Sequence, residues 1–378
     1  MNVIDLFARG NQELFHSAFI AWLFDEHGTH GLGSRFLREF TAGLPSQIAD
    51  RLTGPLVVET EYQSGRSRFD ILLKPRSPSP SPAAFKGLVL ENKIKSFGNA
   101  MQLDKYLKQG FDVLVLALLR ETLDDDAKRK YTVVTYSLVR DLLQRLPLEP
   151  ANHYHFLIRE YHAFLAKTLS TYDLIARYCN GDVSPAEFTE ALKTALAGSV
   201  LRDNDIRTYS YYYYHLLAER ITYFEPDLAF GTRMYADAER HNESTRWLYE
   251  KNMQGQPFME AIIRPCDTAP WKLHSALGSI NTSKSIQIAP RIEVWLDLNR
   301  IATADDRDPA VGSLMLGTWA PELKQALRTL EPYSTSLKRR PRADRNFHHE
   351  SLTLSDVRFE KLIPRIRDAL RLICDYTA

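Results

Sequence analysis

The stretch Arg68-Phe69-Asp70-Ile71-Leu72-Leu73, followed after a Ser/Pro-rich segment by Leu88-Val89-Leu90-Glu91-Asn92-Lys93-Ile94, decides how this chain is read. Each of the two apolar runs holds an acidic residue in its interior, and the second adds a lysine two positions past its glutamate. Buried strands exclude charge, because desolvating it is costly unless a partner or an ion compensates. Strand side chains alternate between faces, so Glu91 and Lys93 project from the same side. Pairing the two runs as a hairpin brings Asp70 to that side as well. Two carboxylates and one ammonium then converge on a point, which suits a divalent cation holding a phosphate group.

The flanking residues supply the frame for that hairpin. Leu14, Ala18, Ala21, Trp22 and Phe24 recur at helical spacing over 11–25, with Asp25 and Gly28 as the stop. A second helix is expected over 34–43, ending near Gly43 and Pro45. Residues 56–62, 69–73 and 87–94 read as three strands, and the prolines of 75–82 keep that loop out of any sheet interior. A helix over 98–109, strands over 111–119 and 131–136, and a helix over 137–146 follow. This order calls for an α/β domain, a mixed sheet flanked by helices, with the 98–109 helix as a crossover.

Pro147-Leu148-Glu149-Pro150 reads as a boundary and divides the chain into 1–148 and 149–378. Beyond it, 152–178, 184–198 and 203–223 look helical. Trp247–Glu250, Phe258–Arg264 and Arg291–Leu298 look strand-like, and 320–330 and 359–375 helical again. The second half is therefore expected to be an α+β domain, with substrate selection, regulation or oligomerisation as its candidate roles. A length of 378 residues fits two domains. With 44% hydrophobic and 25% charged residues, wholesale disorder is excluded.

The apolar runs are too short to span a bilayer, and Met1-Asn2-Val3-Ile4-Asp5 has no basic region leading into an apolar core. Three widely spaced cysteines, Cys179, Cys266 and Cys374, give neither a zinc spacing nor an even disulfide set, so a reducing cytoplasm is expected. Lys and Arg total 48 against 47 Asp and Glu, for a net charge of +1. Any contact with nucleic acid must then come from local patches rather than a global field.

Asp70 followed by Glu91-Asn92-Lys93 resembles the PD-(D/E)XK nuclease superfamily, and further residues carry the likeness. Glu13-Leu14-Phe15-His16-Ser17, Ala21-Trp22-Leu23-Phe24-Asp25, Gly31-Leu32-Gly33 and Phe36-Leu37-Arg38-Glu39-Phe40 are similar to the opening of a bacterial, stand-alone subfamily. Asn99-Ala100-Met101-Gln102-Leu103-Asp104-Lys105-Tyr106 is similar to a glutamine-bearing helix found in many members. Phe69 stands where the family name has proline. The likeness covers about the first 145 residues.

It implies a restriction-endonuclease-like fold and a metal-dependent phosphodiester hydrolase using Mg²⁺, with Mn²⁺ as a substitute. DNA is the implied substrate and defence against foreign DNA the implied setting. RNA, or a non-catalytic DNA-binding or interaction module on the same fold, is the alternative. Asp70, Glu91, the Asn92 carbonyl and Glu13 are the implied metal-side groups. Lys93 would orient or activate the attacking water or stabilise transition-state charge, and Gln102 would contact phosphate or Lys93.

Each candidate has a plainer reading beside it. Asp70, Glu91 and Lys93 could form a structural ion pair, and Glu13 could be a first-turn glutamate favoured by the helix dipole. His16, three residues on, shares the face of Glu13 and is either a supporting group or a packed histidine. Glu59 and Glu61 share a strand face; Glu61 is the one that could approach the cluster, and at least one of the two is expected to be solvent-exposed. Tyr209 and Tyr211–Tyr214 suggest base stacking, but helical geometry spreads them around an axis and favours packing. Lys338-Arg339-Arg340-Pro341-Arg342, with Arg345, His348 and His349, could bind phosphates, but a solvated basic loop is the expected reading. His348-His349-Glu350 lacks the helical i, i+4 histidine spacing of a zinc site.

Overall fold

The structure, a computed structural model, describes residues 2–6, 13–64, 67–76, 85–94, 100–120, 123 and 125–197. It further describes 206, 209, 210, 212–214, 216, 217, 220, 232–233, 248–251, 257–263, 291–296, 298, 312–318, 348–354 and 356–377. Contacts divide the chain into two compact units, Met1–Thr171 with Gly198–Arg202, and Tyr172–Ala197 with Asp203–Ala378.

The first unit opens with α1 (Val3–Leu6), α2 (Glu13–Phe24), α3 (Arg35–Ala42) and α4 (Ser46–Ala49). Strands β1 (Leu56–Ser64), β2 (Ser67–Pro75) and β3 (Leu88–Lys93) follow. Then come α5 (Ala100–Leu107), β4 (Asp112–Ala117), α6 (Asp125–Lys130), β5 (Thr132–Thr135) and α7 (Tyr136–Arg145). The five strands form one sheet in sequence order. β1–β2–β3 pair antiparallel, and β3–β4–β5 pair parallel through the crossovers that carry α5 and α6. This is the mixed, helix-flanked sheet expected from the sequence.

β3 is buried along its whole length, as a strand covered on both faces must be. On one face Leu72, Val89, Val113, Val115 and Ala117 pack with Leu103 and Tyr106 of α5 and Ala127 of α6. Helix α2 packs across β1, β2 and β3, and α3 packs on α7. Helix α6 was not expected, because its six residues, Asp-Asp-Ala-Lys-Arg-Lys, carry one apolar side chain and no period. Its acidic start and basic end match the helix dipole, and Ala127 is its buried anchor.

Helix α8 (His153–Asn180) contains the division between the units, at Thr171 and Tyr172, so the expected boundary at Pro147–Pro150 lies inside the first unit. The reason is local. Asn2 Nδ2 donates to the Glu160 carbonyl (2.7 Å), Val3 N to Glu160 Oε2 (2.8 Å), and His155 Nε2 bonds the His30 carbonyl (2.9 Å).

The second unit continues with α9 (Pro185–Leu196), whose start is a reciprocal capping box. Glu187 N donates to Ser184 Oγ (3.3 Å), and Ser184 N donates to Glu187 Oε2 (3.0 Å). A six-membered antiparallel sheet follows, built from β6 (Thr232–Arg233), β7 (Leu248–Lys251), β8 (Pro257–Ile263), β9 (Arg291–Leu296), β10 (Gly312–Thr318) and β11 (His348–Leu354). Its order is β11-β10-β9-β8-β6, with β7 also on β8. The last helix is α10 (Phe359–Thr377).

β6, β10 and β11 were not foreseen. Gly312-Ser313-Leu314-Met315-Leu316-Gly317-Thr318 is bracketed by glycines, and β11 opens on two histidines and a glutamate, so neither alternates clearly. Trp247, the helix expected over 320–330 and the basic cluster Lys338–Arg342 with Arg345 lie outside the described residues. His348 and His349 fall in β11, opposite Thr318 and Gly317.

Tyr209, Tyr212, Tyr213 and Tyr214 are buried and cannot form a stacking platform. Tyr172 meets Tyr209 and Tyr212 edge-on at 5.2 and 4.7 Å. Tyr213 OH donates to the Val357 carbonyl (2.8 Å), and Tyr214 OH accepts from Leu296 N (2.8 Å). They are core of the second unit; Tyr211 lies outside the described residues.

Candidate active site

Asp70 and Glu91 stand where the β2–β3 ladder runs out. Its pairs are Leu73–Leu88, Leu72–Val89 and Ile71–Leu90, and it goes no further toward Asp70. On the other side of β2, Thr60 pairs with Ile71 and Tyr62 with Phe69, but Glu61 and Asp70 between them do not pair. Glu61 has φ +53°, in the left-handed region that a glutamate seldom occupies. Phe69 and Leu72, three residues apart, share one core cluster, which regular alternation would forbid. The interruption at Glu61 and Asp70 accounts for it, as a bulge re-aims strand side chains.

The Lys93 carbonyl accepts from Leu118 N (2.7 Å) on the β4 side. The main-chain groups of its neighbour Asn92 therefore leave by the opposite edge, toward β2. There Asn92 N donates to Asp70 Oδ2 (2.8 Å), and the Asn92 carbonyl leaves by that same edge. Lys93 Nζ and Glu91 Oε1 are 2.8 Å apart, with Glu91 only 1% and Lys93 8% exposed. An ion pair this buried persists only where its geometry is good and its partners are in place.

Burial pushes the Asp70 carboxyl up from 3.8 to about 7. The Glu91 charge pushes in the same direction, with Glu13 adding to it, while the Asn92 N–H and the Lys93 ammonium pull downward. Burial would lower Lys93. The charge and hydrogen bond of Glu91, with Glu13 and Asp70, outweigh it and raise Lys93 above its ordinary value. Glu13 is the first residue of α2, half-buried, and its charge acts on both Asp70 and Lys93. The structure thus brings together Asp70, Glu91, Lys93, Asn92 and Glu13. Gln102 lies on α5, and its side chain is outside the described residues.

Glu61 and Glu59 are engaged elsewhere. Glu61 Oε2 lies 2.7 Å from Arg68 Nε, and Glu59 Oε1 lies 2.5 Å from Lys74 Nζ.

Among the described residues, no set of three His, Cys, Asp or Glu side chains is gathered to hold an ion by itself. The donors present are two carboxylates and a main-chain carbonyl directed to one edge. They fit Mg²⁺, which is commonly held through one or two carboxylates, with water and substrate phosphate completing its shell. Burial first, and the Glu91 charge second, hold the Asp70 carboxyl up, and a cation at this edge would offset both.

Sequence reasoning missed what lies behind β3. The Asn92 side chain is fully buried on the face opposite Glu91 and Lys93. Its Nδ2 donates to Ser17 Oγ (3.0 Å) and the Glu13 carbonyl (3.3 Å), and its Oδ1 accepts from Tyr136 OH (2.7 Å). Tyr136 and Tyr161 share a hydrogen bond, and Tyr161 OH meets His16 Nδ1 at 2.8 Å. His16 also stacks on Phe164 at 5.6 Å. The only sequence signal was the asparagine between two charges in an otherwise apolar run.

A five-stranded mixed sheet flanked by helices, carrying an acidic residue on its second strand and Glu-x-Lys on its third, defines a restriction-endonuclease-like protein. The model of the PD-(D/E)XK nuclease superfamily matches residues 1–163, which hold the whole of this sheet and the Asp70, Glu91 and Lys93 cluster. No curated protein and no solved structure gives a significant match.

Proposed function

We propose that this protein is a Mg²⁺-dependent nuclease that hydrolyses phosphodiester bonds in DNA and acts in defence against foreign DNA. The observation that carries the reading is the convergence of Asp70, Glu91 and Lys93 at the end of β3, inside the stretch that the nuclease-superfamily model matches. A bound divalent ion would supply a nucleophilic water near neutral pH and neutralise charge on the leaving oxygen. Asp70, Glu91 and the Asn92 carbonyl would hold it, with Glu13 adding negative charge from α2. Lys93, kept protonated by Glu91, would hold the attacking water or the scissile phosphate. The near-zero net charge of the chain leaves recruitment of substrate to local contacts and to the second unit.

The test is incubation of the full chain with plasmid, linear duplex, single-stranded DNA and RNA, each with Mg²⁺, Mn²⁺ or EDTA. DNA cleavage that needs the metal is expected. Cleavage of RNA alone would move the substrate, and absence of cleavage with all four would overturn the reading. Plaque counts on cells expressing the wild type or Asp70→Ala test the defence role.

A further inference from the structure

Four elements that are distant in sequence are tied behind β3 by one ring of hydrogen bonds, and its polarity follows from the groups involved. The Glu13 carbonyl can only accept, so the group of Asn92 that faces it is Nδ2, and Asn92 Oδ1 must point at Tyr136. Tyr136 has one proton and spends it on Oδ1. Tyr161 must therefore donate to Tyr136, which leaves its oxygen to accept from His16. His16 accordingly carries its proton on Nδ1. Ser17 Oγ donates to the Glu13 carbonyl (3.0 Å), so its oxygen is the acceptor for Asn92 Nδ2. The ring leaves α2 at His16, passes through Tyr161 of α8, Tyr136 of α7 and Asn92 of β3, and returns to α2 at Ser17 and Glu13.

Everything proposed to act on the metal and phosphate hangs from Asn92. Glu91 and Lys93 are its chain neighbours. Asp70 accepts its main-chain N–H, and Glu13 is held through its own carbonyl by the Asn92 amide. The β2–β3 ladder stops short of this point, so the ladder does not set the position of Asn92 relative to Asp70. His16, Ser17, Asn92, Tyr136 and Tyr161 are all buried, so no water competes for the ring's hydrogen bonds.

Resting on the nuclease reading above, we propose that Tyr136, Tyr161 and His16 are positioning residues. By fixing the Asn92 amide they set the spacing between the Asp70 carboxylate and the Glu91–Lys93 pair, and so the affinity of the site for its divalent ion. Partners that orient metal ligands from behind typically change affinity or activity by about 10–100-fold when removed. Tyr136→Phe removes one hydroxyl and keeps the ring packed. It leaves Asn92 Oδ1 without its donor and the Tyr161 proton without its acceptor.

The experiment uses the full chain and titrates Mn²⁺ by calorimetry into the wild type, Tyr136→Phe, His16→Asn and His16→Leu. Each is measured below its own melting temperature, alongside steady-state cleavage of duplex DNA. Tyr136→Phe is expected to bind Mn²⁺ at least about tenfold more weakly and to lower kcat with KM unchanged. His16→Asn keeps a donor close to the position of Nδ1 and should restore affinity toward the wild-type value. His16→Leu should resemble Tyr136→Phe. Wild-type Mn²⁺ affinity in Tyr136→Phe, or equal loss in both His16 variants, would overturn the positioning role. Failure of the nuclease reading is a separate result, seen in the wild type as Mn²⁺ binding without cleavage of any nucleic acid. A wild type that binds no Mn²⁺ would overturn both.

Discussion

Asp70 sits where burial and neighbouring charge oppose ionisation, and this gives the metal-free protein a pH dependence of definite sign. The unfolded carboxyl titrates near 3.8 and the folded one near 7, so between these values the folded state binds the extra proton. Stability from this group is therefore fully present below about pH 4 and is lost as pH rises through about 7. Thermal melts in EDTA should show a melting temperature that falls over this window in the wild type, and a flatter profile in Asp70→Asn. Parallel profiles would remove the crowding argument. Divalent ion should reverse the trend by binding the ionised form. Replacing Asp70, Glu91 or Lys93 by Ala should reduce cleavage on the order of a thousandfold or more, with the double variants little worse than the single ones, because the groups act on one metal–phosphate unit. Substantial activity in Glu91→Ala, measured on the same DNA, would sink the assignment.

At the scale of single elements, two local devices can be tested without touching the site. Gly87, just ahead of β3, has φ +149°, and a Cβ there would lie 2.8 Å from the Leu73 carbonyl oxygen. Gly87→Ala should therefore cost about 1–3 kcal/mol in denaturant melts, since the obstacle is backbone and cannot swing away. Ser184→Ala removes one half of the capping box on α9 and should cost about 1 kcal/mol while leaving Mn²⁺ affinity unchanged. The elements of the first unit were largely legible. Leu88-Val89-Leu90 and Val113–Leu118 are continuous apolar runs of strand length, and α2 carries its apolar residues at helical spacing. Helix α6 was not, because a short, highly charged element shows no period until its neighbours bury one side of it.

At the scale of the whole molecule, the first compact unit runs to Thr171 and takes in most of α8. A chain ending at Leu146 would lose Tyr161, which closes the ring behind β3, and His155, which accepts Glu149 N at Nδ1 (2.8 Å) and holds the His30 carbonyl through Nε2. It should unfold at lower temperature and bind Mn²⁺ poorly, whereas a chain ending at Asn180 should keep both the cooperative melt and the metal affinity. Equal behaviour of the two, compared by circular dichroism and calorimetry, would mean that α8 is dispensable to the first unit. If the second unit only selects or recruits substrate, the chain ending at Asn180 should also keep weak, metal-dependent cleavage.

The order of the five strands and of the longer helices in the first unit, and the identity of Asp70, Glu91 and Lys93 as charges that a buried sheet must compensate, were determined by the sequence alone. Both rest on local physics: the two-residue period of a strand, and the cost of desolvating a charge wherever it occurs. The tertiary structure alone decided the rest. His16 reaches Tyr161 across 145 positions and Tyr136 reaches Asn92 across 44, and no local pattern records such a closure. The same holds for the left-handed Glu61 beside Asp70, and for the four buried tyrosines whose spacing alone allowed a surface role. A hydrogen bond between distant residues has no period. It exists only once packing has brought a donor and an acceptor together where water cannot serve either.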